Sequence, residues 1–213
     1  MSPRAIIFDF DGVILDSVRV KTVAFAKLAE PFGETAVSRM VAFHEANGGI
    51  SRYLKFEWFF REILGRAITD AESSDWGERF QDLALQGVLE APYIEGAREF
   101  LDTWHSRIPL FVASGTPNDE LEIIVNRRGL ETHFREVHGT PRKKGEIVRD
   151  LLGRHGLGQE EVVFIGDALT DFDAAAECGV PFIGVRAEDA DVFPEGTRVI
   201  PNLHRLEEAI RSI

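Results

Sequence analysis

Cysteine is almost missing from this chain. Cys178 stands alone, so no disulfide can close within it, which fits a reducing compartment and a fold held by its own apolar core. Long apolar runs are missing too: none approaches the roughly 20 residues that a membrane helix needs, so no membrane partner is expected. Basic residues are outnumbered, with 24 Lys and Arg against 36 Asp and Glu. The resulting net charge of −12 argues against nucleic acid as a partner, since nucleic-acid binding needs a basic face. The six histidines are scattered and show no zinc spacing. An apolar run begins at Ala5, with no charged leader and hydrophobic h-region before it, so no signal peptide and a cytoplasmic location are expected. What remains is ordinary for a globular protein, 44% hydrophobic and 28% charged. A length of 213 residues suits one compact core with an insertion, or two small domains.

Four short apolar runs read as buried parallel strands: Ala5–Phe10, Ile108–Ala113, Val162–Ile165 and Phe182–Val185. Between and around the later ones lie candidate helices at Gly96–His105, Asn118–Arg128, Lys144–His155 and Asp171–Cys178. Alternation of this kind predicts an α/β fold, a Rossmann-like doubly wound parallel sheet covered on both faces. Residues 17–88 break the rhythm. Apolar residues recur there at helical spacing in Val20–Leu28, Val37–Phe43, Tyr53–Leu64 and Trp76–Leu89. The expectation is a helical-bundle cap at 17–88 inserted after the first strand, with residues 1–16 and 89–213 forming the core. Phe25, Phe43, Tyr53, Phe56, Trp58, Phe59, Phe60, Trp76 and Phe80 would pack the bundle's interior.

The first strand ends in two carboxylates, Asp9 and Asp11, followed by Gly12. Buried carboxylates need a metal, a partner or a proton, and strand ends of an α/β sheet are where ligands bind. Asp9 is a candidate nucleophile toward a phosphoryl group, and Asp11 a candidate acid and base beside it. Carboxylate attack on an anionic phosphoryl group demands a cation and positive donors. The second strand runs into Ser114, Gly115 and Thr116, whose hydroxyl and backbone N–H groups can bond phosphate oxygens. Taken alone, these three also suit a plain strand-to-helix turn. Lys143 and Lys144 open a helix, and either can supply a charge. The fourth element, Gly166-Asp167 with Asp171 one helical turn on, adds carboxylates to an oxygen-only site suited to Mg²⁺. In the inserted segment, Asn47-Gly-Gly-Ile-Ser-Arg52 interrupts the aromatic pattern. Asn47, Gly49 and Arg52 are candidates for reading the polar or anionic end of a substrate, and Lys21 can point back at the site. His44 and Lys55 are expected at the surface or in packing.

In their order along the chain, these four elements resemble the nucleophile, hydroxyl, lysine and acid motifs of the haloacid dehalogenase-like superfamily. The run Asp9-Phe-Asp-Gly-Val-Ile-Leu-Asp16-Ser17 follows its D-x-D-G-x-x-x-D-S pattern. The insertion resembles the helical cap of the phosphoglycolate phosphatase and β-phosphoglucomutase branch. The resemblance implies an aspartyl-phosphate on Asp9 and acid–base work by Asp11, whose backbone carbonyl also binds Mg²⁺. It implies direct Mg²⁺ ligation by Asp167, and makes Asp171 a water-mediated ligand or the partner of the lysine. The family spacing selects Lys144, because Lys143 would put Asp150 at an apolar position. Proline often follows that lysine, whereas this chain has Gly145. Asp16 is expected to cap the next helix or hold its loop. The function implied is Mg²⁺-dependent hydrolysis of a small phosphorylated metabolite, by a monomer or homodimer. One alternative is a sugar-phosphate mutase, favoured by Arg52 and disfavoured by Lys21, which stands where that branch usually has histidine. Another is a non-catalytic phosphate-binding protein.

Overall fold

The structure is a computed structural model and describes residues 3–186 and 192–212. Six strands form one parallel sheet in the order β3-β2-β1-β4-β5-β6. They are β1 (Ala5–Phe8), β2 (Leu110–Pro117), β3 (Glu136–Thr140), β4 (Val162–Gly166), β5 (Phe182–Val185) and β6 (Val199–Ile200). The helices of this part are α5 (Ala97–Trp104), α6 (Asn118–Arg127), α7 (Lys144–His155), α8 (Leu169–Cys178) and α9 (Leu206–Arg211).

Both faces of β1 are apolar because both are covered. Side chains alternate along a strand. Ile6 and Phe8 join Phe100 and Leu101 of α5, Leu121 and Ile124 of α6, and Leu206 and Ile210 of α9. Ala5 and Ile7 join Ile147, Val148 and Leu151 of α7, and Ala174, Ala175 and Cys178 of α8. The result is an α/β Rossmann-like sandwich of helices around the sheet.

Two strands lie outside the expected four, β3 and β6. Both are sheet edges. Edge strands tolerate polar residues, and Glu136-Val-His-Gly-Thr140 has no continuous apolar run to mark it. Two bounds also shift. β1 ends at Phe8, which frees Asp9 and Phe10 from the ladder. β2 extends through Ser114, Gly115 and Thr116, and its pairing with β3 breaks register between Ala113 and Pro117. These three residues therefore form the irregular end of a strand rather than a turn.

Residues 18–90 fold into α1 (Val18–Ala29), α2 (Glu34–Ala46), α3 (Arg52–Glu62) and α4 (Asp70–Glu90). The longest, α4, starts at a capping box between Thr69 and Glu72 and buries Trp76, Phe80, Ala84 and Val88 at four-residue intervals. Phe25, Phe56, Phe59, Phe60, Trp76 and Phe80 share a separate apolar cluster with Leu28 and Met40. Each such aromatic stabilises the segment by about 2–3 kcal/mol relative to exposure. Three expected members differ. Phe43 and Trp58 stack on each other at the rim, 3.9 Å between ring centroids, and Tyr53 is exposed. Among the described residues no helix is long and apolar enough to cross a membrane.

Candidate active site

The strand order runs outward from β1 to β2 and β3, then returns to β4 on the other side of β1. The chain thus reverses direction across the sheet beside β1, where open α/β sheets hold ligands at their C-terminal edge. Asp9, the Ser114–Thr116 segment and Asp167 leave β1, β2 and β4 at that edge, on three adjacent strands.

Asp9 is held on all sides. Its backbone N–H donates to the Ile165 carbonyl at 2.8 Å. One carboxylate oxygen accepts from the Phe10 N–H at 2.6 Å and the other from Lys144 Nζ at 2.8 Å. Burial pushes the Asp9 carboxyl up to about 7; Lys144 opposes this, while the charges of Asp171 and Asp11 add to it. Lys144, the first residue of α7, also donates to Asp171 Oδ1 at 2.5 Å. Burial alone would discharge this ammonium, but Asp171 and Asp9 outweigh it and hold its pKa above the usual lysine value. Lys143 is exposed and serves as the N-cap residue of α7. Asp171 is fully buried in the first turn of α8, where its second oxygen accepts from the Ala168 N–H at 3.1 Å. The Asp167 carboxyl is raised well above the usual carboxylate range, first by burial and then by repulsion from Asp9 and Asp171.

One ligand atom from each of Asp9, Asp167 and Asp171 can lie within 4.8 Å of the other two. Around them, the four carboxylates Asp9, Asp11, Asp167 and Asp171 face two ammonium groups, Lys21 and Lys144. With all four ionised two negative charges would be left over, and the all-oxygen donor set of Asp9, Asp167 and Asp171 fits a divalent cation such as Mg²⁺. The carboxylate of Asp11 stays outside the cluster. It accepts from Ser17 Oγ at 2.6 Å, Lys21 Nζ at 2.5 Å and Thr116 Oγ1 at 2.9 Å. Burial would raise its pKa, but Lys21 and these hydrogen bonds win, and the net direction is down. Gly12 makes the turn after Asp11 possible: its φ is +78°, and a Cβ there would sit 2.2 Å from Asp167 Oδ2. Ser17 spends its hydroxyl on Asp11, while Asp16 is exposed and caps nothing; Ser17 itself occupies the N-cap position of α1.

The loop between α2 and α3 reaches this edge through backbone contact. Thr170 Oγ1 donates to the Gly48 carbonyl at 3.1 Å. A Cβ on Gly115 would lie 2.5 Å from the Gly49 carbonyl oxygen, so two glycines meet where no side chain fits. A cavity of about 70 Å³ lies between the sheet edge and the helical segment. Asp9, Asp11, Asp167, Gly115 and Thr116 line one side; Lys21, Phe25, His44, Gly49, Arg52, Lys55 and Phe80 line the other.

Several expectations for the helical segment need correction. Asn47 does not line the cavity. It ends α2, where its side-chain amide donates to the Phe43 carbonyl at 2.8 Å. Arg52 does line it, but its guanidinium is already paired with Glu120 of α6, both N···O distances being 2.8 Å, and it lies over the Phe80 ring at 4.4 Å. The argument for a mutase from Arg52 is weakened accordingly. Of the two placements expected for Lys55 and His44, surface or packing, the structure has the second: both are buried in the cavity wall, with Lys55 Nζ 2.7 Å from His44 Nδ1. The signal for both was helical spacing. Arg52, Lys55, Phe56, Phe59 and Phe60 share the buried stripe of α3, and His44 follows Ala36 and Met40 at four-residue steps on α2. Glu120 carries no such signal, because it follows the polar Asn118-Asp119 start of α6.

A sequence model described as haloacid dehalogenase-like hydrolase matches residues 3–179. A phosphoglycolate phosphatase of Rhodospirillum rubrum is 30% identical over 196 residues, covering 85% of this chain and 78% of its own. A 5′-nucleotidase of Pseudomonas aeruginosa is 27% identical over 188 residues, covering 84% of this chain and 81% of its own. The crystal structure of a predicted phosphatase from Clostridium acetobutylicum shares the fold, with a TM-score of 0.78 over 100% of both chains at 17% identity.

Proposed function

The chain belongs to the haloacid dehalogenase-like hydrolase family and is a phosphatase, and we propose that it hydrolyses a small phosphomonoester in two steps through a phosphoryl group carried on Asp9. The observation that carries this reading is the Asp9–Lys144–Asp171 chain at the switch point of the sheet, with Asp167 beside it. Asp9, Asp167 and Asp171 are the residues that would hold Mg²⁺. When bound, the cation supplies charge neutralisation for the incoming phosphoryl oxygens and lowers the pKa of the raised carboxyls around it.

The chain's own groups do the rest. Lys144 orients Asp9 and offsets its charge. Ser114 Oγ, which accepts from the Thr116 N–H at 3.2 Å, and the Gly115 N–H would donate to the phosphoryl oxygens. In the first step Asp9 attacks phosphorus and the bond to the alcohol oxygen breaks. The leaving oxygen takes a proton from the Lys21 ammonium, and the proton that Asp11 takes from water in the second step returns to Lys21 along the hydrogen bond between them. In the second step Asp11, ionised in this arrangement, removes a proton from water, which attacks phosphorus and frees Asp9. Residues 17–88 act as a cap over a core of residues 1–16 and 89–213, and the Arg52–Glu120 and Gly48–Thr170 contacts hold that cap closed and exclude water.

The test is phosphate release from a panel of small phosphomonoesters, including phosphoglycolate, sugar phosphates and nucleoside monophosphates, in Mg²⁺ and in EDTA. Release by the wild type in Mg²⁺ and a loss of at least about ten-thousand-fold in Asp9→Asn are expected. Undiminished turnover by Asp9→Asn, or none by the wild type on any ester, overturns the reading.

A further inference from the structure

The two ends of the sheet differ in charge. The reaction cavity at the C-terminal edge is built around acids. At the N-terminal edge, where β2 and β3 begin, an open cavity of about 600 Å³ lies between the loop after α5 and the segment before β3. Among the described residues no Asp or Glu lines it, in a chain that has 36 of them. Its wall carries Arg107, Arg135, His105 and His133, together with the hydroxyl residues Ser106 and Thr132. Arg107 and Arg135 are exposed, and among the described residues neither guanidinium has a carboxylate partner.

Both arginines are fixed in place. Arg107 Cζ lies 5.3 Å from the Trp104 ring centroid, and Trp104 in turn stacks on Phe100 at 5.2 Å with 6° between the planes. A guanidinium laid on an aromatic face has less freedom to lose when it binds. Arg135 is anchored by its backbone N–H, which donates to the Leu110 carbonyl at 2.7 Å where β2 and β3 begin to pair. The acids beside the cavity are already matched. Asp102 lies 3.1 Å from Arg98 and 2.7 Å from His133 Nε2. Glu136 accepts from both amino groups of Arg154 and lies 2.6 Å from His155 Nε2. Among the described residues the buried His133 Nδ1 has no hydrogen-bond partner. The wall thus holds positive charge and open hydrogen-bond positions that no acid of the chain uses.

We propose that this cavity is a second anion site, separate from the reaction cavity, and that it takes a phosphate chain carrying several charges. A guanidinium presents parallel N–H donors that match phosphate oxygens, and two of them on one wall match two phosphoryl groups. A single phosphate would leave most of 600 Å³ unfilled, whereas a chain of two or three phosphoryl groups reaches both arginines. The site is not the substrate's. Leu110 lines it and Gly115 lines the reaction cavity, five residues on along β2, which is roughly 16 Å at the rise of a strand. Inorganic polyphosphate and a nucleoside triphosphate both supply such a chain.

The experiment uses the Asp9→Asn protein in EDTA, so that neither turnover nor a metal–phosphate complex enters, and reads tripolyphosphate binding by calorimetry. Binding of one tripolyphosphate per chain is expected. Arg107→Ala together with Arg135→Ala should weaken it by at least about thirtyfold, and lysine at both positions should recover part of the loss. Arg79→Ala with Arg211→Ala removes the same charge from exposed positions on α4 and α9 and should change the affinity by less than about threefold. ATP is the second probe. An ATP affinity within about threefold of tripolyphosphate assigns the site to the phosphate chain itself, and one at least about tenfold tighter assigns it to a nucleotide. Binding of neither probe, or an affinity that survives both alanines at 107 and 135, overturns the inference; the bases would then only offset the carbonyl ends of α5 and α7. Equal losses in the two double-alanine proteins overturn it as well, because they would mark a general attraction of charge.

Discussion

The two walls of the cavity are built on opposite electrostatic plans. On the sheet side, acids predominate and Lys144 is shared between Asp9 and Asp171, which leaves negative charge for a cation to neutralise. On the helical side, cations and aromatic rings predominate, and one cation, Lys55, has no acid partner among the described residues. The first wall is suited to a phosphoryl group and its metal, the second to whatever the phosphate is attached to. The contrast separates chemistry from choice: damage to the sheet side should remove turnover for every substrate, and damage to the helical side should redistribute it.

The largest effect that probes this contrast is expected at Lys144. Lys144→Met leaves Asp9 and Asp171 without their shared cation. We expect kcat to fall by about a hundred- to a thousandfold on every ester, charged or not. Stability at neutral pH should drop by about 3 kcal/mol and recover as the two carboxyls protonate on acidification, both read by steady-state kinetics and urea titration. A loss confined to one substrate class would erase the distinction between the walls.

A smaller effect is expected where the walls touch. Gly115→Ala places a methyl group against the Gly49 carbonyl and pushes the 47–51 loop away from the sheet edge. A misplacement of this size costs about a hundredfold in kcat/KM. The melting temperature should hardly change, because no core residue is disturbed. Kinetics and a thermal melt on the same preparation check both halves of the expectation.

The smallest effect has the opposite sign. Lys55 has a folded pKa of about 7, below the 10.5 of a free lysine. Below about 7 the lysine is charged in both states, and the full cost of burying the charge falls on the folded protein. That cost fades as pH rises from 7 toward 10.5, because the folded state releases its proton first. Lys55→Met should therefore stabilise the ligand-free protein by about 2 kcal/mol near pH 6 and by almost nothing near pH 11. Chemical denaturation across that range checks it. Destabilisation at low pH would mean that Lys55 has an acid partner in solution, and the two walls would then be alike.

The sheet side was largely legible in the sequence, and the reason is geometric. A central parallel strand is apolar on both faces, so a carboxylate directly after it stands out, as Asp9 and Asp167 do. The edge strand β3 has no such contrast. The helical side is less legible, because a polar residue on a helix shows its place only through its spacing. Lys55 falls on the same stripe as Phe56 and Phe59, which favours packing, but lysine is so often at the surface that spacing alone leaves both placements open. Asn47 looked like a ligand reader because it adjoins two glycines; its amide instead satisfies a carbonyl that the end of α2 leaves open. The Arg52–Glu120 pair joins residues 68 positions apart, and nothing local in either segment announces the other.

The central claim is that the phosphoryl group passes through Asp9. The most direct measurement is to quench the wild-type protein in acid during turnover of its best ester and to map the phosphorylated peptide by mass spectrometry, with borohydride reduction to mark an acyl phosphate. A phosphoryl group on Asp9 that forms and decays at the rate of turnover is the predicted result. Steady release of phosphate with no acyl phosphate at Asp9, or with the phosphoryl group on another residue, would contradict it.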